Sequence, residues 1–122
     1  MPKFTKAGNF YLKDHEGNRL CLKKIIWEKV IGKPEREHLA YNIERIKKCV
    51  SNPVQIRQSL RDSGLKIIYG RMERYNVRPN IEAPSPVPYL AVLVRSKGNL
   101  IITIYPTQSI KKGKILWSPS QK

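Results

Sequence analysis

Tyr89-Leu90-Ala91-Val92-Leu93-Val94-Arg95 is followed by Ser96-Lys97-Gly98-Asn99 and then by Leu100-Ile101-Ile102-Thr103-Ile104-Tyr105. Two runs rich in β-branched and aromatic residues, separated by a polar tetrapeptide containing glycine, read as an antiparallel hairpin. Pro106 is expected to end its second strand. Upstream, Leu65–Met72 follows the turn Asp62-Ser63-Gly64 as another strand candidate. Val54 and Ile56 alternate with Gln55, Arg57 and Ser59, a period of two. Together these segments predict an antiparallel sheet of about four strands, with Ile115–Trp117 docking as a last short one.

Before residue 53 the period changes. Leu39, Ile43, Ile46 and Val50 fall on one side of a helix. Pro34 suits its first turn, Glu35 and Glu37 its positive end, and Lys47 and Lys48 its negative end. Ser51-Asn52-Pro53 stops it. A shorter helix is expected over Lys23–Ile31, ending at Gly32, and a short N-terminal hairpin from Asn9–Lys13 and Arg19–Leu22 around Asp14–Asn18. Residues 73–88 hold Pro79, Pro84, Pro86 and Pro88 and are expected to form a long irregular loop. The fold class predicted is α+β, with N-terminal helices packed on one face of the antiparallel sheet. The length of 122 residues predicts one domain, 1–122, with a core over about 25–117.

Charge directs the functional reading. Lysine and arginine number 24 against 9 aspartates and glutamates, a net charge of +15, and residues 84–122 contain no acid. Such an excess favours a polyanionic partner, either nucleic acid or an acidic protein. The apolar runs are too short to span a membrane, and Met1–Thr5 opens no signal-peptide core. Cys21 and Cys49 show no metal-binding spacing and fit a reducing, cytoplasmic setting. Two distant histidines and scattered glycines give no metal cluster and no phosphate loop, so neither metal nor cofactor is implied.

Strand alternation then selects candidate residues. Gln55, Arg57, Ser59 and Arg61 point away from Ile56, and Thr103 and Tyr105 away from Leu100, Ile102 and Ile104. Tyr69 and Arg71 share parity with Ile67, and Lys66 lies on the other side. Arginine forks suit phosphate oxygens, and tyrosine can stack on a base or transfer a proton. His38 lies beside the helix stripe as an acid/base candidate, or as a solvated histidine. Lys111 and Lys112 are expected to grip phosphate or to solvate a turn.

Asn52-Pro53-x-x-Ile56-Arg57-x-Ser59, the strands Leu65–Arg71 and Tyr89–Val94, and Ile101–Thr107 with Ile110-Lys111-Lys112-Gly113 are together similar to the barnase/EndoU/colicin E5–D/RelE superfamily, in its phage- and toxin-associated branch. The resemblance covers roughly residues 25–117 and implies helices on a four-stranded antiparallel sheet. It also implies a small metal-independent endoribonuclease, toxin-like, held in check by an acidic inhibitor such as an antitoxin or immunity protein. Carried over to this chain, Arg57, Ser59, Tyr69, Thr103 and Tyr105 form the site. Lys29 and Lys33 stand where the pattern often has histidine, leaving His38, Lys33 or Glu37 for proton transfer. The mechanism expected is attack by the RNA 2′-hydroxyl, with Arg57 and Arg71 clamping phosphate, Thr103 and Tyr105 orienting substrate, and His38, Tyr69 or Tyr105 moving protons. Ser59, Arg61, Lys66, Arg71, Lys111 and Lys112 are the expected RNA contacts. Two other readings stay open: a nucleic-acid-binding module without catalysis, and an interaction domain for an acidic protein.

Overall fold

The computed structural model describes residues 2–119; the tail Ser118–Lys122, expected to be loose, lies outside them from position 120 on. Strands β1 (Asn9–Lys13) and β2 (Arg19–Lys23) form the N-terminal hairpin. In its turn a buried Asp14 carboxylate accepts the N–H groups of Glu16 and Asn18 at 2.9 and 2.8 Å. Helix α1 (Lys24–Ile31) follows, then a 3-10 turn (Glu37–Tyr41) and helix α2 (Ile43–Ser51). The remaining strands are β3 (Gln55–Gln58), β4 (Leu65–Arg71), β5 (Arg74–Arg78), β6 (Ile81–Pro84), β7 (Tyr89–Arg95), β8 (Leu100–Thr107) and β9 (Ile115–Trp117).

These elements overturn the expected fold class. The molecule is mostly β: seven strands form one mixed sheet in the order β1-β2-β8-β7-β4-β3-β9, and β5 and β6 form a separate two-stranded sheet. The N-terminal hairpin is part of the main sheet, joined by a parallel contact between Cys21 and Leu100 in which the Cys21 N–H donates to the Asn99 carbonyl at 2.8 Å. Periodicity identifies strands but not the edges they seek. Strand β8 meets β2 only at its first residue, and the short β9 covers the outer edge of β3. Among the described residues, no helix is long and apolar enough to cross a membrane.

Three local expectations also change. The helix expected after Pro34 is broken: Glu35 adopts a left-handed φ of 68°, and Asn42 separates the 3-10 turn from α2. The cause is Asn42, buried, whose Nδ2 donates to the carbonyls of His38 and Asn76 at 2.7 and 2.8 Å while its Oδ1 accepts the Asn76 N–H at 2.7 Å. The apolar stripe survives, with Leu39, Ile46 and Val50 all fully buried. The proline-rich segment is the β5–β6 hairpin rather than an irregular loop. Asn80 takes the left-handed turn position with φ 62°, a conformation asparagine tolerates, and Arg45 and Arg74 both bind Glu82 of β6. In β8 a register shift between Leu93 and Val94 pairs Val94 with Ile101, so Ile101 and Ile104 are buried instead of Ile102 and Ile104. Strand β8 also continues through Pro106. Beyond Leu100 its outer edge has no β2 partner, so the missing proline N–H is not needed there.

The main core lies between the sheet and the helices. Helix α2 packs on β4, β7 and β1, and α1 packs on β8 and β2, burying Trp27 and Val30. At one corner the β1–β2 turn meets the far edge strand, with the His15 ring 4.7 Å from that of Trp117. The closest approach of helix to sheet is at Gly70, where an added Cβ would stand 2.6 Å from the Cys49 Sγ and 2.7 Å from its Cα. Burial pushes the Cys49 thiol up to about 12, against a hydrogen bond with the Gly70 backbone.

This contact generates a stability test. Gly70→Ala is expected to cost about 1–3 kcal/mol through overpacking, read as a lower denaturant midpoint. Adding Cys49→Ala is expected not to restore it, because the Cα of residue 49 is still in the way. An unchanged midpoint in Gly70→Ala would refute so close a seat for α2.

Candidate functional site

The face of the sheet away from the helices is built by strand alternation. Register joins Arg57 to Ile67, Ile67 to Leu93 and Leu93 to Thr103, so Arg57 and Thr103 share a face. The next layer joins Gln55, Tyr69, Ala91 and Tyr105. A second apolar cluster of Ile67, Tyr69 and Ala91, with Leu93, Tyr105 and Ile110 against it, forms the floor.

Part of this face is covered. The segment after β8 folds back so that Ile110 packs on the floor and the Lys111 N–H donates to the Tyr69 phenol oxygen at 3.1 Å. Arg57 holds the same segment: its Nη1 donates to the Gly113 carbonyl at 2.9 Å and its Nε to Gln55 Oε1 at 2.7 Å. Gly113 is needed there, since a Cβ would overlap the Gln58 carbonyl oxygen. The basic turn seen in the sequence is therefore one wall of a groove.

The groove encloses about 620 Å³ and carries five cations, Lys33, Arg36, Arg61, Lys111 and Lys112, with no acidic residue in its lining. Ser59, Thr103, Tyr105 and Thr107 add hydroxyls, and Leu60, Ile67 and Leu93 add apolar surface. Arg36 Nη1 donates to Thr103 Oγ1 at 3.3 Å, and its guanidinium carbon lies 5.4 Å from the centre of the Tyr105 ring. Lys111 Nζ stands 6.0 Å from the same ring. Two cations from different segments of the chain thus stand near the Tyr105 ring. Burial raises the Tyr105 phenol above its ordinary value, helped by Tyr69 and opposed by Arg36. Burial likewise raises Tyr69, opposed by the Lys111 hydrogen bond and by the Arg57 charge. Both phenols are consequently protonated at neutral pH and available as donors.

Of the residues selected from sequence, Ser59, Arg61, Thr103, Tyr105, Lys111 and Lys112 line this groove, and Tyr69 supports its floor. Arg57 is on the correct face, but its guanidinium is engaged in holding the loop. Lys66 belongs to the other face, in a cleft with His15, Ile56 and Trp117, as its position one residue before Ile67 requires. Arg71 sits at the end of β4 in a cleft beside α2. His38 lines a third cleft with Tyr41 and Tyr75 and is not part of the groove lining. Arg36 was not selected; it comes from the turn that replaced the start of the expected helix, and no periodicity marks such a residue. Among the described residues, no three His, Cys, Asp or Glu side chains are grouped to hold one metal ion.

No protein-family model, curated protein or solved structure matches the chain.

The buried Tyr69 phenol and the half-buried Tyr105 phenol give the fold an alkaline limit. Their pKa values are raised on folding, so the stability they contribute is complete below the unfolded value of 10.0 and is lost as pH rises through the folded values. Cys49 adds its own loss, beginning at its ordinary value of 9.0. Thermal midpoints measured from neutral to alkaline pH are expected to fall less steeply in Tyr69→Phe than in wild type. The same variant is expected to be about 1 kcal/mol weaker at neutral pH for want of the Lys111 acceptor. Parallel profiles would show that Tyr69 is not buried as described.

Proposed function

We propose that this chain is a small metal-independent endoribonuclease that binds single-stranded RNA in the groove. The observation that carries the reading is the acid-free lining, in which Arg36 and Lys111 stand by the Tyr105 ring, Arg36 bonds the Thr103 hydroxyl, and Lys112 adds a further cation. Guanidinium and ammonium groups suit phosphate oxygens, and aromatic surface suits bases. RNA supplies its own nucleophile. The 2′-hydroxyl oxygen bonds to the neighbouring phosphorus, the bond to the 5′-oxygen breaks, and the products are a 2′,3′-cyclic phosphate and a 5′-hydroxyl.

In this mechanism Arg36 and Lys111 offset charge on the non-bridging oxygens. The Tyr105 phenol gives its proton to the departing 5′-oxygen. No imidazole or carboxylate lines the groove, so the 2′-hydroxyl proton passes to solvent base. The rate then climbs with pH through the neutral range and turns over only when Tyr105 ionises, above its ordinary 10.0. Arg57 keeps a positioning role through the loop that bears Lys111, and the proton-transfer role expected of His38 passes to Tyr105. An acidic inhibitor protein would compete for the same cations. A reducing, cytoplasmic setting belongs to the proposal, in keeping with free Cys21 and Cys49. The likeness to the toxin-associated nucleases enters through activity, not through the sheet it implied.

A second reading is binding without cleavage, favoured by the same lack of an imidazole or carboxylate in the lining. Incubation with labelled single-stranded RNA and with DNA of the same sequence, each with chelator, separates the two. Both are expected to bind, with an affinity that falls by a log–log salt slope of about −3 if four or five phosphates are neutralised. Only RNA is expected to be cut. Tyr105→Phe is expected to slow cleavage by ~10²–10⁴-fold with little change in binding, whereas Arg36→Ala weakens both. Binding without cleavage by wild type would establish the second reading. Failure to bind near physiological ionic strength would remove both and leave an acidic protein as the partner.

A further inference from the structure

Arg36 lines the groove and the next residue, Glu37, lines a different cleft of about 380 Å³. We infer that this cleft, formed by Glu37, His38, Tyr41, Tyr75, Val77 and Arg78, receives an unpaired base of the RNA whose phosphates occupy the groove. The inference rests on the RNA reading above and adds to the groove a second, separate aromatic site for a base.

The chemistry of the two sites is divided as a nucleotide is. The groove has five cations and no acid, which suits phosphate. The cleft has three rings, one cation and one carboxylate. A carboxylate repels phosphate but accepts hydrogen bonds from base amino groups. The His38 and Tyr75 rings lie 4.8 Å apart at 66°, and Tyr41 leaves 45% of its surface open beside them. Base stacking on such side chains tolerates sequence, because every base has a π-face. Arg36 and Glu37 are adjacent in the chain, with Cα atoms about 3.8 Å apart, so one strand can serve both sites.

The cleft is also held in shape before any ligand arrives. One wall is the 3-10 turn and the other is strand β5. Buried Asn42 ties them by donating to the His38 carbonyl at 2.7 Å and to the Asn76 carbonyl at 2.8 Å, and by accepting the Asn76 N–H at 2.7 Å. Arg45 adds a bond to Asn76 Oδ1 at 3.0 Å and an ion pair with Glu82 at 2.6 Å. Tyr75 and Val77 flank Asn76, so the asparagine fixes the two residues that face the His38 wall. A preformed cleft lowers the ordering cost of binding.

The test compares two short oligomers of equal length at one salt concentration: an uncleavable 2′-O-methyl oligonucleotide and its abasic counterpart. Wild type is expected to prefer the base-bearing oligomer by about tenfold or more. Tyr41→Ala, which alters an exposed ring, and Tyr75→Leu, which keeps apolar bulk, are each expected to reduce that preference while leaving abasic binding unchanged. Arg36→Ala is expected to weaken both oligomers. Equal binding of the two oligomers by wild type would overturn the base site and leave the groove intact. Full preference retained in both ring variants would do the same. If neither oligomer binds wild type, the RNA reading falls and this inference with it.

Discussion

The contact between α2 and β4 at Gly70 sets the terms for the rest of the molecule. A sheet buries one face or both, and here the helical layer is only two short helices and a 3-10 turn. To seal the main core with so little helix, α2 must sit directly on the strand backbone, and only a residue without a Cβ admits it. The helix then covers β4, β7 and β1 from one seat. The opposite face receives no helix at all, which is why a loop and a row of cations can define it.

That second face is divided rather than open. Near β3 it is covered by the returning segment, fixed by Ile110 packing, the Tyr69 phenol and the Arg57 guanidinium. Beyond that cover the floor continues to Thr103 and Tyr105 and meets the turn that bears Lys33 and Arg36. Two walls from distant parts of the sequence thus bring cations to one tyrosine ring. Their mutual repulsion is lessened by solvent and by the nearby Tyr105 ring, whose π-face favours positive charge. A phosphodiester, the ligand proposed for the groove, would relieve the repulsion further.

What could be read from sequence was what lies within a strand or a helix face. Alternation set Arg57 apart from Ile56 within one strand and Thr103 and Tyr105 apart from Ile104 within another, and the apolar stripe located the buried side of the 3-10 turn and α2 at Leu39, Ile46 and Val50; Lys66, expected among the RNA contacts, lies in a different cleft. What could not be read depended on distant partners. Nothing local shows that β2 will lie parallel to β8, or that β9 will pair with β3. The break before α2 follows from Asn42 meeting Asn76, residues far apart in the chain. Pro79 and Pro84 masked a hairpin that Asn42 and Arg45, on other elements, help to hold. Arg36 escaped selection for the same reason: its value comes from Thr103, which only the folded chain brings near.

The tilted contact of the His15 ring with Trp117 links the two margins of the sheet, because one belongs to the turn that joins β1 to β2 and the other to β9. Exposed edges are templates on which further chains can add, and a basic protein concentrated on a polyanion would meet many copies of itself. A sheet whose first turn and last strand touch at one corner keeps its two margins from splaying apart at that end. One aromatic contact thereby limits how far either margin can open there to meet another chain.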